Sequence, residues 1–151
     1  MTATGTALYV VHVLLAGLWT GTVLTYAFGV VPLAYDGDIG VDPLASLTGW
    51  LTTVTRASAV VLLLSGAHLA VTRLGVDALL ATRRGHLVLG MAVLWLALTG
   101  LVEAGGSRVR GNLERGKIRT AARESRRLYR AAAVVAVLAL VDAGLLGAGV
   151  V

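Results

Sequence analysis

ALYVVHVLLAGLWTGTVLTYAFGVVPLAY, Ala7 to Tyr35, runs for 29 residues without one Asp, Glu, Lys or Arg. About 20 apolar residues in an α-helix cross the roughly 30 Å hydrocarbon core of a bilayer, so this run reads as a membrane-spanning helix. Its one ionisable side chain of ordinary pH range is His12, followed seven residues later by Trp19 and then by Gly21.

The rest of the chain repeats that pattern. Of its 151 residues 57% are hydrophobic and 14% charged, with a mean hydropathy of +0.84; ordinary soluble domains carry roughly 25% charged residues. Apolar stretches of membrane-crossing length predict four transmembrane helices over about 7–35, 49–72, 85–103 and 130–150. Their periodicity is helical, and no alternating strands of barrel type occur. The fold class expected is all-α, an integral membrane four-helix bundle running up-down-up-down. Residues 1–151 form a single transmembrane domain with no room for a soluble catalytic module. Met1 to Gly5 carries no side-chain charge, unlike a cleavable signal peptide, so helix one is expected to be retained.

Orientation follows the placement of Lys and Arg in short loops. The basic loop 105–130 after helix three holds Arg108, Arg110, Arg115, Lys117, Arg119, Arg123, Arg126, Arg127 and Arg130, whereas the opposite side offers Arg73, Arg83 and Arg84. The basic loop is therefore expected in the cytoplasm and both termini outside, in a multi-pass protein of the cell membrane. Within that loop NLERGKIRTAARESRRLYR, Asn112 to Arg130, has one Gly and no Pro and is expected to be helical and to run into helix four. Its charge anchors the topology and suits anionic lipid headgroups or an acidic partner; nothing in it points to nucleic acid.

With no cysteine, any metal chemistry falls to His, carboxylate, Met or backbone. Ionisable groups in lipid are costly and mark function or pairing. Under the expected topology His12, His68, His86 and Asp142 all fall in the outer half of the bundle, with His68 roughly 8 Å and Asp142 roughly 13 Å below the surface at 1.5 Å per residue. Imidazole is the commonest metal ligand and a frequent haem ligand. The candidate cofactor ligands are His12, His68 and His86, and the candidate metal set is His12, His68 and Asp142. His12, Ala16, Trp19, Val23 and Tyr26 recur at helical steps and form one stripe. Ser58, Ser65, His68 and Thr72 form another, and His86, Gly90, Val93, Ala97 and Gly100 a third, a shallow groove for a flat macrocycle or another helix.

Three further features are structural. Gly17 and Gly21 form a GxxxG pair suited to tight helix packing or dimerisation. Arg56 and Glu103 lie near the cytoplasmic ends of helices two and three, where an ion pair lowers the cost of both charges; the alternative is snorkelling of Arg56 to the interface. Trp19 belongs to the core, while Tyr35 and Trp50 read as interfacial belt residues.

His12, Trp19 and Gly21 in the pattern H-x6-W-x-G resemble the first helix of CopD-like inner-membrane proteins linked to copper handling. The pattern is also similar to the first helix of HemJ-like proteins, four-helix membrane proteins that bind haem b and act in protoporphyrinogen oxidation. Either resemblance implies that His12 is the metal or haem ligand, with Trp19 and Gly21 its packing support. The HemJ-like pattern continues with Leu-Pro-Arg and a further His; here the chain reads VVPLAYDGD, keeping Pro32 without the cation and the imidazole.

The function expected is binding of haem b or a transition metal, copper as the alternative, through membrane-embedded histidines, in redox chemistry or metal handling. The rivals are a CopD-like copper transport or resistance component and a non-catalytic accessory subunit of a larger membrane complex or homo-oligomer. Cu(I) prefers thiolate and thioether donors, and the chain offers Met1 and Met91. Without a nucleophile and adjacent base, a phosphate loop or paired carboxylates, hydrolase and kinase chemistry have no footing.

Overall fold

The computed structural model describes residues 3–148, which are helical throughout apart from short turns, with no strand among them. Met1 and the end of the predicted fourth helix beyond residue 148 lie outside the described residues. The first span is α1 (Ala3–Thr25), a single wide turn (Tyr26–Val30) and α2 (Val31–Asp36) in one continuous rod. Pro32 explains the wide turn. It has no N–H, and in a regular helix its ring would press on the carbonyl four residues back. Just before it the Val31 N–H reaches back five residues to the Tyr26 carbonyl, which rotates the register while keeping Tyr26, Ala27, Val31 and Ala34 all buried.

The rod ends at Gly37, whose φ of 90° places it in the left-handed region, with the Gly37 and Asp38 N–H groups capping the Leu33 carbonyl at 3.1 and 2.9 Å. Then come α3 (Val41–Arg73), the short α4 (Val76–Ala81), α5 (Arg83–Leu113) and α6 (Ile118–Ala148). The Thr82 hydroxyl caps α5 by accepting from the Gly85 N–H at 3.0 Å. Four helical segments are long and apolar enough to cross a membrane, and they pack as a ring in which α1 meets α3 and α6, and α5 meets α3 and α6. The helices α1 and α5 therefore stand on one diagonal.

The helices are longer than the sequence predicted. At 31 to 33 residues and 1.5 Å per residue they reach about 46 to 50 Å, well past a hydrocarbon core of about 30 Å. In α3 the excess lies at the start, over 41–48, and in α5 and α6 it lies within 105–130, where a basic loop was expected. There α5 continues to Leu113, the chain turns over Glu114–Lys117, and α6 starts at Ile118, so that the stretch expected to be helical over 112–130 does run into the fourth span, from Ile118 onward. The cause is an apolar seam: Val102, Val109 and Leu113 on α5 meet Ala121, Ala122 and Tyr129 on α6, all buried, while the arginines of this stretch point outward or lie along the seam's edge. Small residues bring these two helices close. A Cβ added at Gly105 would lie 2.8 Å from the Tyr129 Cζ.

One stripe was misjudged. His86, Val93, Ala97 and Gly100 face out of the bundle, and the inner face of α5 is carried by Trp95, Leu98, Val102 and Val109, because bulky side chains fill the bundle better than a run of small ones. Gly17 and Gly21 face outward too, with nothing within 4 Å of an added Cβ. They take no part in helix packing inside the chain.

Candidate functional site

Between the four long helices, at the end of the bundle closed by α4, lies a cavity of about 680 Å³. A sealed, empty void of that volume would cost on the order of 16 kcal/mol at about 24 cal/mol per Å³. That exceeds the roughly 5–15 kcal/mol holding a typical domain together; the space is not sealed, and being open it is filled from the membrane or the water. All four helices supply its wall: Tyr9, His12 and Trp19 from α1, Leu62, Gly66 and Arg73 from α3, Arg84, Met91 and Trp95 from α5, and Ala139, Ala143 and Leu146 from α6.

The wall is almost wholly carbon for a local reason. The Trp19 indole N–H donates to the Thr55 hydroxyl at 3.0 Å, and the Trp95 N–H donates to the Ala59 carbonyl at 3.1 Å. Both polar edges are satisfied on α3, leaving ring carbon for the cavity. Trp19 is buried.

His12 is the one imidazole in this wall. It is half-buried, and its Nδ1 lies 2.8 Å from Ser65 Oγ. The Ser65 hydroxyl in turn donates to the Val61 carbonyl at 2.6 Å. A hydroxyl has a single proton, so Ser65 accepts from Nδ1–H, and in the neutral imidazole Nε2 holds the lone pair. That is the tautomer in which a ring nitrogen is available to a metal while its partner nitrogen is held by a protein group. Gly66 lets the ring lie against α3, since a Cβ there would stand 3.2 Å from His12 Cε1.

At the rim, the Arg73 guanidinium lies 4.9 Å from the centroid of the Tyr9 ring, within cation–π range. Arg84 Nη2 donates to the Leu146 carbonyl at 3.2 Å, tying the start of α5 to the end of α6.

The other candidate ligands stand elsewhere. His68 is exposed on α3 and absent from the cavity wall; Ser65, expected on its stripe, serves His12 instead. His86 is exposed as well, with Nε2 donating to the Leu80 carbonyl at 3.1 Å. Asp142 is half-buried on α6 outside the wall, and its Oδ2 is buried without a hydrogen-bond partner among the described residues. Among those residues no three His, Asp or Glu side chains gather closely enough to hold a metal ion. The candidate set of His12, His68 and Asp142 is thus not brought together. What the sequence reading missed is the α5 wall. Its signal was present: Arg84, Val88, Met91, Trp95 and Leu98 follow one another at steps of four and three, a helical stripe one register away from the one singled out.

Toward the opposite end, Arg56 Nε and Nη2 meet Glu103 Oε1 and Oε2 at 2.7 and 2.9 Å, a two-pronged pair between α3 and α5.

No curated protein and no solved structure matches the chain. Residues 45–146, about two-thirds of the sequence and spanning α3 to α6, match the family model of copper resistance protein D. With the four membrane-crossing helices already in place, the chain belongs to the copper resistance protein D family.

Proposed function

We propose that the protein handles copper within the membrane, taking the ion at His12 Nε2 inside the cavity. The observation that carries this reading is the Val61–Ser65–His12 relay, which leaves Nε2 as a lone-pair donor on a mostly apolar wall. Met91 lines the same cavity from α5, the helix diagonal to α1, and adds a thioether. An imidazole with a thioether is a donor pair that suits Cu(I) better than imidazole and carboxylate do. Copper is cargo here, and the residues' part is to hold it out of water and release it.

What favours copper over haem b is the position of the other two histidines. A haem held by His12 with His68 or His86 needs both imidazoles in one space, and neither His68 nor His86 lines the cavity.

The test is Cu(I) binding to the detergent-purified protein, read by competition with a chromophoric chelator. Wild type is expected to bind, His12→Ala to lose binding, Met91→Leu to bind more weakly, and His68→Ala to match wild type. Retention of full affinity by His12→Ala would overturn the proposal. An oxidised-minus-reduced visible spectrum of the same preparations is expected to lack a Soret band.

A further inference from the structure

We infer that the cavity also seats an acyl chain of an anionic phospholipid, with the lipid phosphate held between Arg73 and Arg84. The inference rests on the cavity and its rim and is independent of the copper reading.

Volume is the first ground. A single ion needs a small part of about 680 Å³, and the remaining wall, with Leu62, Val88 and Leu98 among its residues, has the carbon surface that a hydrocarbon chain wets. Access is the second. The cavity is not enclosed, and Val13, Leu63 and Leu140 in its wall are exposed apolar residues, so a hydrocarbon chain enters it along carbon surface.

Charge is the third ground, and it selects the headgroup. Arg73 is the last residue of α3 and Arg84 the second of α5, at the ends of two membrane-crossing helices, the place where a lipid headgroup meets a bundle. Both line the cavity. Around them, among the described residues, the turn region carries Arg83 as a further cation and Asp77 as the acid of α4, a balance that is positive. Arg73 rests on the Tyr9 ring, and Arg84 uses one guanidinium nitrogen on the Leu146 carbonyl. A guanidinium has five N–H donors in a fixed fork, so Arg84 is oriented by that contact and keeps donors for a phosphate. Basic pockets between transmembrane helices bind anionic headgroups by this means.

The experiment uses the full chain reconstituted in nanodiscs of equimolar phosphatidylglycerol and phosphatidylcholine with identical acyl chains. Lipid retained after release is then read by native mass spectrometry. One phosphatidylglycerol is expected to remain on the wild type, with a preference over phosphatidylcholine of about thirtyfold, the selectivity that two arginines give an anionic headgroup. Arg73→Gln with Arg84→Gln is expected to bring the two lipids to parity. Ala139→Phe, which puts a ring into the space meant for the acyl chain and leaves the rim intact, is expected to weaken lipid retention; helicity by circular dichroism identifies any variant that has unfolded, in which case the Arg84→Gln single variant is read in its place. His12→Ala is expected to keep the lipid while losing copper, which separates the two proposals. Equal retention of both lipids by wild type overturns the inference. So do a preference that survives the double arginine variant, displacement of the lipid by inorganic phosphate, and a haem found in its place.

Discussion

Ser65 stands between two neighbours that each need something different from it. The Val61 carbonyl takes its proton and the His12 Nδ1–H takes its lone pair, and this division fixes which imidazole nitrogen is free. Removing the hydroxyl removes the fixing. Ser65→Ala is expected to weaken Cu(I) binding about tenfold to hundredfold, the usual cost of losing a group that orients a metal-binding histidine, while leaving thermal stability nearly unchanged. A chelator titration beside a melting curve checks both halves. Gly66→Ala tests the same ring from its flank: with a Cβ 3.2 Å from Cε1 the imidazole has to tilt, and binding is expected to fall although no donor atom has been deleted. That His12 needs a partner inside the bundle was legible in the sequence, because an ionisable group in a 29-residue uncharged run is costly unless it is paired or used. Its partner was not. Helical spacing tells which residues share a stripe, but not which stripe turns inward, so Ser65 was credited to His68.

At the scale of the helix, the same ambiguity explains why α5 was read one stripe out of register and why its glycines divide into two kinds. Gly105 faces Tyr129 so closely that an added Cβ would lie 2.8 Å from Cζ, whereas nothing lies within 4 Å of a Cβ at Gly17 or Gly21 on α1. Gly105→Ala is therefore expected to destabilise the bundle by about 1–3 kcal/mol, the cost of overpacking a closed contact. Gly17→Ala is expected to be neutral or to stabilise by up to about 1 kcal/mol, since alanine is the better helix former. Denaturation of both variants in the same detergent distinguishes them. Of the two roles the GxxxG spelling on α1 offered, packing within the chain is not the one it takes, because the close approach inside this chain is made by α5 and α6; dimerisation is left. Helix existence and order came through well, because runs of apolar residues this long have no other stable form in lipid. The helical start of α6 was legible too, since Asn112 to Arg130 holds one Gly and no Pro, but the continuation of α5 to Leu113 was harder to see. There the buried seam of Val109, Leu113, Ala121, Ala122 and Tyr129 is diluted by nine Lys and Arg residues over 108–130, and the charge, not the seam, dominates any averaged hydropathy.

Across the whole molecule, the two ends of the bundle are unlike, and the functional reading depends on which faces the cell interior. One end extends as paired helices carrying those nine cations; the other carries α4, the cavity and the rim arginines. The imbalance of Lys and Arg favours the extended end in the cytoplasm, so the cavity is expected to open on the outer leaflet. A cysteine-free sequence makes the test direct, because one introduced thiol is the only one in the protein. Asp77→Cys in α4 is expected to react with a membrane-impermeant maleimide on intact cells, and Arg115→Cys in the α5–α6 turn only after the membrane is opened. Both positions are exposed, so accessibility to the reagent is decided by the membrane and not by the fold. The reverse labelling pattern would turn the molecule over. His12, Met91 and the two rim arginines would then receive copper and lipid from the cytoplasmic leaflet, and the cavity would serve as an entrance for export instead of a landing site for ions arriving from outside.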